Sequence, residues 1–117
     1  MGNTLIVKST ETARDDNGYI YYQGKLFTGT ENWYYDTGEL GTSSEYKDGI
    51  LDGIQTGFYK NGKISGKTHY IKGCVHGLNQ DWYENGQLKL EEEIYNGKAV
   101  WTKEWDENGN LITDFKR

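Results

Sequence analysis

The sequence contains no proline and only one cysteine, Cys74. A single cysteine cannot form an internal disulfide, which excludes a disulfide-stabilised scaffold and is typical of a reducing compartment. Without proline, tight turns depend on the sixteen glycines, the residue that adopts turn conformations most readily. The chain is therefore predicted to contain many short segments joined by glycine turns.

Long hydrophobic runs are lacking as well. Hydrophobic residues make up 34% of the chain, and no segment approaches the roughly 20 apolar residues of a membrane span. The first 16 residues lack the apolar stretch of a signal peptide, so a cytoplasmic protein is expected. A length of 117 residues predicts a single domain over 1–117. Ten tyrosines and four tryptophans indicate that aromatic rings supply much of the buried surface.

An excess of positive charge is absent, since the formal net charge is −5. Residues 1–57 hold nine acids against four bases, and residues 81–107 hold eight against three. No broad basic surface is available, which disfavours binding to nucleic acid. Membrane binding is disfavoured for the same reason, because only the lysines between 60 and 72 form a basic window. The acidic balance suits a basic protein partner, and solubility alone is the other interpretation.

What the sequence does contain is one six-residue pattern: Tyr, two residues, Gly, one residue and an aliphatic residue. Its clear copies are YKDGIL (46–51), YKNGKI (59–64), YIKGCV (70–75) and YENGQL (83–88), with looser copies at 21–26, 35–40, 94–99 and 106–111. The motif glycines are separated by 14, 11, 13, 11, 13, 11 and 12 residues. This alternation indicates a repeat of about 24 residues, made of two strands and two turns.

The segments between the glycines are predicted to be β-strands. Asn-Gly and Asp-Gly favour a two-residue type I′ hairpin turn, and the apolar residues alternate with period two. A two-residue turn at each motif glycine (Gly49, Gly62, Gly73, Gly86) would pair Tyr with the aliphatic residue across the hairpin. The expected pairs, all on one face, are Tyr46–Leu51, Tyr59–Ile64, Tyr70–Val75 and Tyr83–Leu88. The predicted fold is all-β: an elongated, twisted antiparallel meander of hairpin repeats, essentially single-layered.

A second set of aromatic residues precedes the alternate motifs. These residues, each four positions before a motif glycine or its last looser copy, are Tyr34, Phe58, Trp82 and Trp105. They are expected on the opposite face with Ile54 and Leu78. Because the last long segment is one residue shorter, a β-bulge is predicted to absorb the shift.

The stretches GILDGIQTGFYKNG (49–62) and GCVHGLNQDWYENG (73–86) resemble MORN repeats. The alternation of long and short segments over about 17–112 is similar to the bacterial MORN variant, the YwqK-type antitoxin family. In the last unit Trp101 stands where the second Gly of GxxxG is expected. The resemblance implies an elongated sheet that binds proteins. In the bacterial variant it further implies an antitoxin or immunity protein that neutralises a toxin stoichiometrically.

The residues that the repeat leaves free are the candidates for partner binding. Three tryptophans are possible anchors and five carboxylates are possible charge partners for a basic toxin domain. They are Asp81, Trp82, Glu84, Glu91, Glu92, Glu93, Trp101 and Trp105. The alternative is a carbohydrate- or cell-wall-binding module, because NWYYDTGEL (32–40) is similar to the aromatic repeats of such modules.

Residues with catalytic or metal-binding chemistry are few. A turn at Lys72-Gly73 would bring His69, Cys74 and His76 near one another, a weak candidate for zinc. No nearby carboxylate supports these ligands, and no nucleophile stands beside a base. We therefore expect no catalytic residue, no cofactor and no metal, and a protein that is not an enzyme.

Overall fold

The computed structural model describes residues 5–117, which are built almost entirely of β-strands. The strands are β1 (Ile6–Lys8), β2 (Thr12–Arg14), β3 (Ile20–Tyr22), β4 (Lys25–Leu26), β5 (Gly29–Tyr34), β6 (Leu40–Lys47), β7 (Ile50–Phe58), β8 (Ile64–Ile71), β9 (Cys74–Trp82), β10 (Leu88–Tyr95), β11 (Lys98–Trp105) and β12 (Leu111–Lys116). A short 3₁₀ turn, Ser9–Glu11, separates β1 from β2. Residues 1–4, which the single-domain prediction included, lie outside the described residues. Within 5–117, no helix is long and apolar enough to cross a membrane.

Nine of the strands form one long sheet in the order β1-β5-β6-β7-β8-β9-β10-β11-β12. From β5 to β12 every neighbouring pair is antiparallel, which confirms the predicted meander. β1 departs from the pattern because it joins β5 in parallel. The Cα radius of gyration is 16.0 Å, above the about 13 Å expected of a compact domain of this length. The sheet is therefore elongated.

The hydrophobic core lies at the N-terminal end of the sheet. A small second sheet, β2-β3-β4, supplies Ile20, and the loop after it supplies Phe27. These residues pack with Val7 and Tyr46 into one buried cluster. From residue 50 to 117 no side chain is fully buried. That part of the sheet is a single layer, and its stability depends on contacts between neighbouring strands.

Two kinds of turn alternate along the sheet. At one edge the two-residue type I′ turn predicted from the sequence is confirmed. Asp48 and Gly49 both have positive φ (51° and 83°), as do Lys72 and Gly73. The pairs Tyr46–Leu51 and Tyr70–Val75 therefore form as expected.

At the opposite edge the turns have three residues, and the pairs expected there are wrong. In 59–63, Gly62 donates to the carbonyl of Tyr59, and Tyr59 donates to the carbonyl of Lys63. Only Gly62 has positive φ, because the side chain of Asn61 accepts a hydrogen bond from the Lys63 amide at 2.9 Å. That bond favours a type I turn followed by a glycine bulge.

The longer turn changes every partner on that edge. Phe58 pairs with Ile64, so the predicted Tyr59–Ile64 pair does not form. The turn at Asn85-Gly86 has the same bonds, and Trp82 pairs with Leu88 instead of Tyr83–Leu88. The four predicted pairs therefore do not share one face.

The tyrosines released from these pairs connect successive repeats. Their hydroxyls donate to backbone carbonyls 22 or 23 residues further on. The bonds are Tyr35 to Phe58 (2.7 Å), Tyr59 to Trp82 (2.5 Å) and Tyr83 to Trp105 (2.9 Å). Asp106 occupies the next equivalent position and begins the last three-residue turn. The motif tyrosine thus packs on its aliphatic partner at one edge and bridges repeats at the other.

The glycines inside the long strands make room for bulges. At Gly53 (φ 120°) two extra residues of β7 lie opposite Glu45, and the Glu45 carboxylate accepts from the Ile54 amide at 2.7 Å. A side chain at Gly53 would collide with that carboxylate. The last repeat has one residue fewer in this bulge, which confirms the predicted shift.

The register of the last repeat corrects the placement of Trp101. Trp101 pairs with Glu93, and Thr102 pairs with Glu92. In the preceding repeat, Thr68 of β8 pairs with Asn79, the residue after Leu78. Trp101 therefore takes the register position of Leu78, and the residue lost from this repeat is the bulge glycine itself.

We predict that Tyr59→Phe lowers the free energy of unfolding by about 1 kcal/mol, because it removes the bond to the Trp82 carbonyl. Urea denaturation followed by tryptophan fluorescence measures the change. Tyr95→Phe is the matched control, since Tyr95 is 58% exposed, and it should shift the midpoint little. Equal shifts for the two variants would contradict a role of the tyrosine bond in coupling repeats.

Candidate functional site

A row of polar side chains crosses the middle of one face of the long sheet. Directly paired residues lie on the same face, so the register defines the row. From β5 to β11 it consists of Glu31, Ser44, Gln55, Thr68, Asn79, Glu92 and Thr102. We call the face that carries this row the front face and the opposite one the back face.

Hydrogen bonds hold the row together. Gln55 donates to Ser44 at 2.9 Å, and Thr68 donates to Asn79 at 2.8 Å. The two oxygens of Glu92 accept from Asn79 and Thr102, each at 3.1 Å. The Glu92 carboxylate is thus fixed by neutral donors from both neighbouring strands.

Apolar and acidic residues flank the row. On the side of the type I′ turns lie the pairs Tyr46–Leu51, Tyr70–Val75 and Ile94–Ala99. On the other side, two further carboxylates, Asp81 and Glu104, face Leu90 across β10. The front face thus combines an apolar strip with three carboxylates, counting Glu92.

The charges of the strands are divided between the two faces. The register places Lys67, Lys103 and Lys116 on the back face. The front face receives one lysine, the bulge residue Lys89, whose amine lies 5.4 Å from the centroid of the Tyr83 ring. The front face between β8 and β11 is therefore acidic.

Burial and neighbouring charge both affect Asp81. Burial raises the pKa of its carboxyl, Lys89 lowers it, and the negative charge of Glu92 raises it further. Asp81 lies over Gly66, which has no side chain to displace it. The shift shows that the acids of the front face share a partly dehydrated environment.

At the first repeat the front face is covered by the N-terminal segment. Glu31 is only 7% exposed; it accepts a hydrogen bond from Thr12 and pairs with Arg14 at 3.5 Å. The Phe27 ring packs on Tyr46 at a centroid distance of 6.2 Å. Burial raises the pKa of Tyr46, and a hydrogen bond from Arg14 partly opposes this.

Over the next repeat the front face opens into a groove of about 750 Å³. Tyr70, Val75 and Ile94 form its apolar wall, and Asn79 and Glu92 form its polar wall. We call this feature the front groove.

The packing of the type I′ turns explains where the front groove begins. Leu26 lies against Gly49, and Ile50, 24 residues on, lies against Gly73. Cys74 is the next residue in that series, and nothing lies within 4 Å of the equivalent point at Gly97. Each of the first two turn glycines also donates to a carbonyl of the preceding repeat, Phe27 or Leu51. The smaller Cys74 side chain leaves the third turn unfilled, and the groove extends beneath it.

The structure separates the candidate partner-binding residues into two groups. Asp81 and Glu92 lie on the front face, whereas Glu91, Glu93 and Trp101 lie on the back. Trp82 and Trp105 also face the back, paired with Leu88 and Leu111, and Glu84 is exposed in a turn. The run 91–93 is therefore not one acidic cluster, because alternate residues of a strand point to opposite faces. Sequence reasoning missed the wall of the groove, although the 24-residue spacing of Tyr46 and Tyr70 was a usable signal.

The three residues of the weak zinc candidate have other partners. His69 donates from Nδ1 to the carbonyl of Leu78 at 2.8 Å, and the ring of His76 packs on Tyr95 at 5.6 Å. Cys74 pairs with Ile71 and is exposed. Among residues 5–117, no three His, Cys, Asp or Glu side chains are grouped so as to hold a metal ion.

Comparison with known proteins identifies two repeats. Residues 51–72 and 75–96 match the family model of the MORN repeat variant. No curated protein and no solved structure matches the chain. The matched repeats comprise most of β7 to β10 and contain the whole polar row of the front groove. They are typical of a repeat binding module.

We predict that Asp81→Asn raises the melting temperature at about pH 7 more than at about pH 3. Burial raises the pKa of Asp81, so its contribution to stability is present at low pH and is lost as the carboxyl ionises. The variant removes that loss. Differential scanning calorimetry at both pH values measures it, with Asp114→Asn on the exposed back face as the control. A variant less stable than the parent at about pH 7 would contradict the environment described for Asp81.

Proposed function

We propose that this protein is a protein-binding module of the antitoxin or immunity type, which neutralises a basic toxin by stoichiometric binding through its front face. The observation that carries the proposal is the division of charge between the two faces. Asp81, Glu92 and Glu104 share the front face with Lys89 as the lysine near them, while three strand lysines lie on the back. A basic surface would be attracted to one face and not to the other.

The size of the front face suits a macromolecule. Strands β7 to β11 have eight or nine residues each, about 27 Å of extended chain. With β12 they make six strands at about 4.8 Å spacing, so the face covers about 800 Å². That area matches what one partner contributes to a standard protein–protein interface.

The way the sheet is built also favours binding to a preformed surface. Hydrogen bonds fix the polar row, and the tyrosine bonds fix one repeat against the next. A surface that is already ordered loses little conformational entropy when a partner binds. A rigid acidic sheet could therefore cover the active site of a basic enzyme without rearrangement.

We predict that the double variant Asp81→Asn/Glu104→Gln weakens the complex about tenfold or more and lowers its association rate, because it removes two front-face charges. The matched control, Glu91→Gln/Glu93→Gln, makes the same change in net charge on the back face and should leave affinity within about twofold. Surface plasmon resonance against the product of the adjacent gene, at low and high salt, measures both. An equal loss for the two double variants, or a larger loss for the control, would overturn the assignment of the front face.

Carbohydrate binding is a second candidate, favoured by two exposed rings. Trp33 is 46% exposed and Tyr34 is 38% exposed, and with Asp36 they line a depression of about 670 Å³ near β1. Exposed rings beside a carboxylate can stack on a sugar and bind its hydroxyls.

Glycan-array binding that is lost on Trp33→Ala and retained on Trp82→Ala would support the carbohydrate candidate. Trp82 is the control because it is half-buried against Leu88 on the back face. An array without any signal would end this alternative.

A further inference from the structure

The N-terminal segment shows what the front face binds within its own chain. At the first repeat, Phe27 packs on the motif pair Tyr46–Leu51, with Ile20 in the same buried cluster. Beside this contact, Arg14 and Thr12 reach the carboxylate of Glu31 in the polar row. The ligand of the first repeat is thus an apolar side chain together with a guanidinium.

The same surface recurs 24 residues later without a cover. Tyr70 and Val75 pair in the front groove as Tyr46 and Leu51 do, and Ile94 extends the apolar wall. Tyr46 is 8% exposed, whereas Tyr70 is only partly buried. The apolar part of the groove therefore has an unfilled contact surface.

Glu92 supplies the acidic part. Like Glu31 it belongs to the polar row, but within residues 5–117 no Lys, Arg or His forms an ion pair with it. Asn79 and Thr102 donate one hydrogen bond to each of its oxygens, which orients the carboxylate and leaves acceptor capacity on both. A planar guanidinium can use both oxygens at once, which an ammonium cannot do as well.

We infer that the front groove receives an extended segment of the partner that carries an apolar side chain and an arginine two residues apart. The apolar side chain packs on Tyr70, Val75 and Ile94, and the guanidinium pairs with Glu92. This spacing follows because Glu92 and Ile94 are two residues apart on β10, about 6.6 Å along the strand. Side chains at positions i and i+2 of an extended peptide point the same way and have the same separation. The inference rests on the proposed function and adds the site and chemistry of the contact.

The test uses the full chain and a fluorescein-labelled peptide, Gly-Ser-Phe-Ser-Arg-Ser-Gly. Two control peptides replace Phe by Ser or Arg by Gln. Fluorescence anisotropy should show binding that each replacement weakens about tenfold or more. Glu92→Gln should weaken binding of the parent peptide by a similar factor, and Glu91→Gln on the back face should not change it.

A second measurement needs no substitution in the protein. In NMR spectra of the unaltered chain, the parent peptide should shift the methyl signals of Val75 and Ile94 and leave those of Ile54 and Leu78 in place. Loss of the Glu92 dependence, or shifts confined to the back-face methyls, would overturn the inference. If the groove fails these tests while Asp81→Asn/Glu104→Gln still weakens the toxin complex, the front-face function stands and the groove contact is rejected. If neither effect is found, both are rejected.

Discussion

Hydrogen bonding between neighbouring strands, kept in register by two alternating turns, stabilises this protein where a core does not. Beyond residue 49 no side chain is fully buried, so each strand is ordered by the strands on either side of it. The Asn61 and Asn85 side chains fix the longer turns by bonding the backbone two residues on. The longer turns release Tyr59 and Tyr83, whose hydroxyls then bond to the next repeat. Register, repeat coupling and the assignment of every side chain to a face follow from these few local bonds.

Much of the architecture could be predicted from the sequence because glycine spacing and period-two alternation are local signals. The strands, the 24-residue repeat and the Tyr46–Leu51 and Tyr70–Val75 pairs are confirmed. The Tyr59–Ile64 and Tyr83–Leu88 pairs were wrong because Asn-Gly suits both a two-residue and a three-residue turn. An Asn side chain that bonds its own backbone decides between them, and the motif does not reveal that bond.

The site was less predictable than the fold because it depends on which face each residue occupies. A bulge follows every three-residue turn, and each bulge changes the alternation, so counting along the chain assigns faces incorrectly. Glu91 and Glu93 seemed to belong with Glu92, although they lie on the opposite side of the sheet. The parallel strand β1 and the cover over Glu31 carry no repeat motif, and nothing in 5–16 announced them. With the faces assigned, one sheet presents an acidic, grooved front and a back on which lysines alternate with acids.

The central claim, that the partner binds the front face, is tested most directly by methyl cross-saturation in the complex. Signals of the chain lose intensity where protons of the partner lie close, so the experiment distinguishes the two faces of a single layer. The account predicts strong loss at the methyls of Val75, Ile94 and Thr102 on the front and little at Ile54, Leu78 and Leu88 on the back. Loss concentrated at Ile54, Leu78 and Leu88 would contradict it.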